Sequence, residues 1–189
     1  MTTTFLVPWL SAQFLCLLGL WIGSKLANHR WMMILGRVAH DRKMTALERF
    51  WPLTQIRPAV EKGDQRKCAT ILSMLIVAKS LLCFLLGIVV IFWLPLACLI
   101  VPSIIAVHDP DDRQLKSWIM RVSILQVTSH TLAAALGFAI VVEAMYTPEP
   151  LLRVIESQAV WIIVVITVSL GFALAAGRTE ASGLMKRGI

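Results

Sequence analysis

The stretch FWLPLACLIVPS, residues 92–103, decides how many helices this chain forms. It carries two prolines, Pro95 and Pro102, inside an apolar run from residue 68 to residue 107 whose only charge is Lys79. Proline lacks the N–H that a helix interior needs, so the pair either kinks one long helix or lies where one helix ends and the next begins. The choice between these two readings sets the topology of the whole chain.

The composition is that of an integral membrane protein. Of 189 residues, 58% are hydrophobic and 15% are charged, and the mean hydropathy is +0.76. Water-soluble domains average about 45–50% apolar and about 25% charged residues. The net charge of +7 gathers in loops beside apolar segments, where membrane orientation and anionic lipid headgroups account for it, so we expect no nucleic acid partner. We predict an all-α, polytopic membrane helix bundle that forms a single transmembrane domain over residues 1–189.

The first apolar segment, about residues 5–23, is long enough to cross a membrane, since a helix needs roughly 20 residues for about 30 Å of hydrocarbon. It lacks the positive leader and cleavage site of a signal peptide, so we expect it to remain as a transmembrane helix. Residues 25–67 then hold ten Lys or Arg and four acidic residues, a net charge of +6. Because positive loops stay inside, this stretch predicts a basic cytoplasmic loop and an external N-terminus.

The apolar run from residue 68 to residue 107 contains forty residues, the length of two spans. We predict one helix at about 70–88 and a shorter one at 94–107, joined by a turn. Pro95 would then lie in the first turn of the second helix, and Pro102 would kink that helix. The alternative is one helix from about 70 to 93 followed by a re-entrant segment, which leaves four complete spans.

Two further apolar segments follow, at about residues 118–142 and 159–176. The stretch EAMYTPEPLLRVIESQ between them has three Glu and one Arg, whereas the last thirteen residues, from Gly177, have a net charge of +2. With five hydrophobic segments, the acidic stretch lies outside and the basic C-terminus lies inside, as the positive-inside rule requires. Charge distribution therefore favours five segments, N-out and C-in, over four.

Several polar residues are candidates for a functional site. Lys79 lies about ten residues into its span, and an ionisable residue at that depth is by default a functional hypothesis; a buried ion pair with a carboxylate is the structural alternative. His130 is the only histidine deep in a span, so haem with two axial imidazoles has no second ligand at that depth and we expect no cofactor. With Thr128, Ser129 and Thr131, it is expected to hydrogen bond to another helix.

The segment HDPDDR, residues 108–113, is the most acidic cluster in the chain. Asp109, Asp111 and Asp112 are the residue types that bind Mg²⁺. They also suit a helix start, with Asp109 as N-cap, Pro110 in the first turn and two carboxylates near the positive end of the helix dipole. We favour the helix start and predict no metal site and no catalytic residue.

The segment from Asn28 to Lys43 is expected to form an amphipathic helix in the headgroup layer of the membrane. Its apolar residues lie on one side of a helical wheel, with basic residues opposite them. The anchoring residues are Arg30, Trp31, Arg37 and Lys43. A docking helix for a cytoplasmic partner is the competing interpretation.

Three of the proposed spans contain a pair of small residues four positions apart, which lets helix backbones approach closely in lipid. The pairs are Gly19 and Gly23, Ala133 and Gly137, and Ala173 and Gly177. We expect these residues to lie at helix contacts within the chain or between chains.

The chain has no nucleotide-binding or catalytic motif, so we expect a non-catalytic subunit of a larger complex in the bacterial inner membrane. A secretion or conjugative-transfer apparatus suits its size. Its expected partners are other membrane subunits, anionic lipid headgroups and, in a homo-oligomer, further copies of itself. The alternatives are a small oligomeric channel or transporter using Lys79 and His130, and a membrane enzyme acting on a lipid phosphate at residues 108–113.

The topology is testable by cysteine-accessibility labelling. Single cysteines replacing Arg57 and Lys186 should react only from the cytoplasmic side, and one replacing Glu149 should react from outside, because the charge bias orients the loops that way. External labelling at position 186 would exclude the five-segment topology.

Overall fold

The computed structural model describes residues 2–49, 51–108, 113–148 and 150–187, and within these ranges it contains helices and no strands. This confirms the all-α prediction. The helices are α1 Thr2–Leu26, α2 Arg30–Arg49, α3 Ile56–Glu61, α4 Gln65–Leu86, α5 Ile88–His108, α6 Arg113–Tyr146, α7 Leu151–Ser157 and α8 Ala159–Arg187. A 3-10 turn, Leu53–Gln55, precedes α3.

Four of these helices, α1, α4, α6 and α8, are long and apolar enough to cross a membrane, which is the four-span alternative. The fifth apolar segment is shorter, with its apolar part at Val89–Ile104 in α5. The chain is therefore a helical membrane bundle.

The central helix of the bundle is α6, which packs against α1, α4, α5 and α8. Thr4 of α1 lies near Glu143 of α6, and Gln13 lies near Thr128, so α1 runs antiparallel to α6. The Ser80–Ser129 hydrogen bond and the contact of Phe84 with Gly137 further along both helices show that α4 runs parallel to α6. Helix α8 is antiparallel to α6, with the Ser129–Ser169 and Trp118–Thr179 contacts along its length.

The forty-residue apolar run is broken at Gly87, which separates α4 from α5. Gly87 has a φ of +44°, in the region that residues with a Cβ avoid. The second helix begins at Ile88, six residues before the predicted start. Both Pro95 and Pro102 lie inside α5, so the prediction that Pro95 occupies its first turn is wrong. The chain therefore breaks at Gly87, and both prolines lie within the helix that follows.

From this break α5 crosses to α1 and packs little against α4. The two helices run parallel, because Gly19 contacts Pro95 and Gly23 contacts Leu99. A Cβ at Gly19 would lie 2.6 Å from the carbonyl oxygen of Pro95, which is too close for any side chain. Glycine in α1 therefore permits the tight contact that directs α5 away from α4.

One end of the bundle, here called the basic end, holds α2, α3 and the last turns of α8. Ile56 and Val60 of α3 form a buried cluster with Cys68 of α4 and Ala181 of α8. Asp64 caps α4 by accepting a hydrogen bond of 2.9 Å from the Lys67 N–H. The stretch around Ile56 is thus a helix that covers the end of α4.

Replacing Gly87 with alanine tests the break between α4 and α5. The positive φ would strain an alanine, so we expect destabilisation by about 1–2 kcal/mol and a lower melting temperature in mild detergent. Intrinsic tryptophan fluorescence during heating measures it.

The matched control is Gly171→Ala in α8, because a Cβ at Gly171 would meet nothing within 4 Å. We expect no loss of stability there, since alanine is the better helix former. Equal melting temperatures for the two variants would contradict the role of Gly87.

Candidate functional site

Four consecutive polar residues, Thr128 to Thr131, lie near the middle of α6, and all four are buried. Consecutive side chains on a helix point about 100° apart, so these four face different neighbours. They meet polar residues of α1, α4 and α8. The result is a polar cluster in the part of the bundle farthest from either end.

The contact with α1 is made by Gln13. Its side-chain N–H donates to the Thr128 hydroxyl at 3.0 Å, and its carbonyl oxygen accepts from the Thr131 hydroxyl at 2.8 Å. The amide thus uses both its donor and its acceptor on one helix. Such interhelical hydrogen bonds average about 0.6 kcal/mol in membrane proteins.

The contacts with α8 and α4 form a chain of hydroxyl groups. The Ser129 and Ser169 hydroxyl groups each lie 3.0 Å from the other residue's backbone carbonyl, within hydrogen-bond distance. On the other side, the Ser80 hydroxyl lies 2.8 Å from Ser129 Oγ and 2.9 Å from His130 Nδ1. Three helices are therefore joined by one hydrogen-bonded chain that ends at the imidazole ring.

The directions of the two bonds made by Ser80 are linked, because its hydroxyl group has one proton. Ser80 either donates to Ser129 and accepts from the Nδ1–H of His130, or accepts from Ser129 and donates to Nδ1. In the second arrangement the neutral ring carries its proton on Nε2, which is then a hydrogen-bond donor.

Lys79 lies beside this chain but outside the bundle. Its side chain is exposed, whereas the neighbouring Ser80 is buried. Ser80, the next residue along α4, is bonded to His130 Nδ1, so Lys79 lies at the level of that ring. Within the described ranges, Lys79 forms no ion pair and no hydrogen bond. The structural alternative, an ion pair with a carboxylate, therefore finds no partner for Lys79 among the described residues.

Two acids of the spanning helices lie toward the ends of the bundle. Glu143 is thirteen residues beyond His130 on α6, about 20 Å along the axis, and accepts from Thr4 at 3.4 Å. Glu180 lies in the last turns of α8 and accepts from the Gln126 amide at 3.1 Å. Both are engaged by other residues.

The predicted small-residue pairs lie at helix contacts inside the chain. Gly19 and Gly23 face α5, Gly137 abuts the Phe84 carbonyl of α4, and Gly177 abuts Ser73 of α4. Their partners Ala133 and Ala173 are buried. These pairs are therefore used for packing within one chain.

On α2, the predicted anchors Arg30, Trp31 and Arg37 are exposed, with Trp31 71% exposed. Lys43 lies further along the same helix. The opposite face packs on α5, where Gly36 lies against the backbone of Ser103. An open groove along the exposed face is lined by Asn28, Arg30, Met33, Ile34, Arg37, Val38 and Asp41.

The acidic cluster of Asp109, Asp111 and Asp112 lies outside the described residues. In the described part of the chain, no three His, Cys, Asp or Glu side chains come together as a metal site would require. The His108–Arg113 hypothesis therefore stays a prediction.

Sequence reasoning missed the partners of the polar cluster, namely Gln13, Ser80 and Ser169, and the close contact at Gly36. The contact of Gln13 with another helix could have been predicted, because an amide in an apolar span needs a hydrogen-bond partner. The contacts of Ser80 and Ser169 could not, since serine can bond to its own helix backbone. Only the packing of the helices brings these three residues to α6.

Comparison of the chain with protein-family models, with curated proteins and with solved structures found no match.

The hydroxyl chain predicts that Ser129→Ala destabilises the bundle. Ser129 is fully buried and bonds to both Ser80 and Ser169. Its loss should lower stability by about 1 kcal/mol and leave Ser80 without one of its two hydrogen-bond partners. Thermal unfolding in mild detergent measures the change.

Thr167→Ala is the matched control, because Thr167 is exposed and bonds to the Ile163 carbonyl of its own helix. We expect its melting temperature to stay within error of the parent. A Ser129→Ala protein as stable as this control would show that the chain of hydroxyls contributes nothing.

Proposed function

We propose that this protein is a non-catalytic integral membrane subunit of a larger complex in the bacterial inner membrane. The observation that carries the proposal is Lys79, a cation on the outer surface of a spanning helix. Lys79 lies twelve residues from Lys67, about 18 Å along the axis of α4. That distance exceeds the reach of a four-carbon stem to the basic end.

A lysine at such a depth is costly if lipid surrounds it. Insertion scales assign about 2.5–3.5 kcal/mol to a charge at the centre of a helix. In the described structure Lys79 has no partner, so a contact that removes this cost must come from outside the chain. The simplest such contact is a second protein that covers this surface of α4 and supplies a carboxylate.

The packing of the core supports a structural role over transport through one chain. Ala134, Ala135 and Ala139 of α6 and Ala173 of α8 are fully buried. Backbones meet directly at Gly137 and Gly177. Helices so close together leave little room for a water-filled path between them.

The second candidate is a small channel or transporter assembled from several copies. The polar cluster around His130 favours it, because hydrogen-bonded side chains in a membrane often belong to ion or proton paths. In that case Lys79 and His130 would line an opening between chains. The two candidates differ in whether the partner is another protein or a further copy.

The membrane setting follows from charge. The basic end would face the cytoplasm, with the exposed Arg30, Trp31 and Arg37 of α2 against anionic lipid headgroups. A secretion or conjugative-transfer apparatus is the proposed kind of complex, on the size and helical architecture of the chain alone.

Native mass measurement after gentle detergent extraction tests the subunit role. We expect a mass that is not a whole multiple of 21.0 kDa, because a different protein accompanies the chain. Lys79→Met should release that protein, because the change leaves a carboxylate of the partner unpaired. The isolated chain should stay as stable as before or become more stable, because an exposed charge has been removed from the span.

Leu82→Met is the control, because Leu82 is also exposed on α4, one turn further along. It should keep the partner. Masses at whole multiples of the chain, with transport lost in Lys79→Met, would favour the channel and contradict the subunit role.

A further inference from the structure

The space between α4 and α5 is open on the side of Lys79. After the break at Gly87, α5 packs against α1 and α2, while α4 packs against α6 and α8. Near the break, Val90 and Ile91 still touch the cluster of Cys83, Ala133 and Ala134. Lys79 lies one turn before Cys83 on α4, and its side chain is exposed. The two helices therefore diverge from a closed end toward the level of Lys79.

His130 lies at this same level and presents one unused atom. The residue is 8% exposed, so it is more than nine-tenths buried. Its Nδ1 is bonded to Ser80, whereas Nε2 has no hydrogen-bond partner among the described residues. Nε2 is also not one of the fully enclosed polar atoms that lack a hydrogen bond, so part of its surface is accessible. The ring is therefore bonded to Ser80, the residue that follows Lys79 on α4, and its Nε2 is left for a ligand from outside the chain.

These two groups can be satisfied by one ligand. Lys79 is a cation with three donor protons, and Nε2–H of neutral His130 is a donor when Ser80 donates to Nδ1. A carboxylate satisfies both, because one oxygen accepts from the ammonium and the other accepts from Nε2–H. A hydroxyl or an amide provides no negative charge, and a phosphate in the headgroup layer does not reach this depth.

We propose that the space between α4 and α5 receives a transmembrane helix of a different protein, whose carboxyl group binds Lys79 and His130. This inference rests on the proposed subunit role and names the chemistry of the partner. A second copy of this chain is a poor occupant. Its Glu143 and Glu180 lie toward the two ends of the bundle and are already hydrogen bonded.

A defined probe tests the site. The full chain is placed in phosphatidylcholine vesicles with a labelled leucine–alanine helix of about 25 residues that carries one glutamate at its centre. Energy transfer between donor and acceptor labels measures association. We expect the central-glutamate helix to bind about tenfold more tightly than the same helix with glutamine, because the ion pair forms in low dielectric.

Lys79→Met should abolish this preference, and Lys79→Arg should keep it. Because Lys79 is exposed, neither change disturbs the core. Moving the glutamate to the third residue of the helix should also abolish the preference, since the acid then lies in the headgroup layer. Leu82→Met again serves as the control and should keep the preference.

Equal binding of the glutamate and glutamine helices, or a preference that survives Lys79→Met, would overturn the inference. So would loss of the preference when phosphatidylserine replaces part of the phosphatidylcholine, since the site would then take lipid. If native mass finds a foreign subunit while the probe shows no preference, the carboxyl site fails and the subunit role stands. A glutamate preference without any foreign subunit in native mass contradicts the subunit role instead.

Discussion

The close approach of neighbouring helices to α6 is the constraint on which the rest of the bundle depends. In lipid, apolar side chains gain little from leaving their surroundings, so helices associate through backbone proximity and buried hydrogen bonds. The fully buried alanines of α6, with Gly137 against the Phe84 carbonyl, permit that proximity. Only at such distances can a serine hydroxyl on α4 reach one on α6.

The same constraint explains why α5 leaves α4. Gly19 and Gly23 give α1 a surface without side chains, and α5 follows it in parallel. The turn at Gly87 allows this change of direction, because its positive φ lets the chain reverse within one residue. The surface of α4 that carries Lys79 consequently stays uncovered.

The polar cluster and Lys79 illustrate two fates of polar groups in a membrane. Thr128, Ser129 and Thr131 find partners within the chain, and their burial costs little once each donor is bonded. Lys79 lies beside them on the outer surface, with no partner among the described residues. Ser80 and Lys79 are adjacent on α4, yet Ser80 faces the bundle and Lys79 faces outward, because adjacent helical positions point about 100° apart.

The sequence by itself determined the membrane class, the helical architecture, the approximate segments and the small residues suited to close packing. These depend on composition, length and local spacing, which can be read without knowing any contact. The turn near Gly87 could be predicted from the sequence. The position of Pro95 inside α5 could not, since proline also suits the first turn of a helix. The tertiary structure alone decided that α5 pairs with α1, that Ser80 and Ser169 meet Ser129, and that Lys79 is exposed. Each of these depends on which faces of separate helices meet, and the spacing within a single helix does not contain that choice.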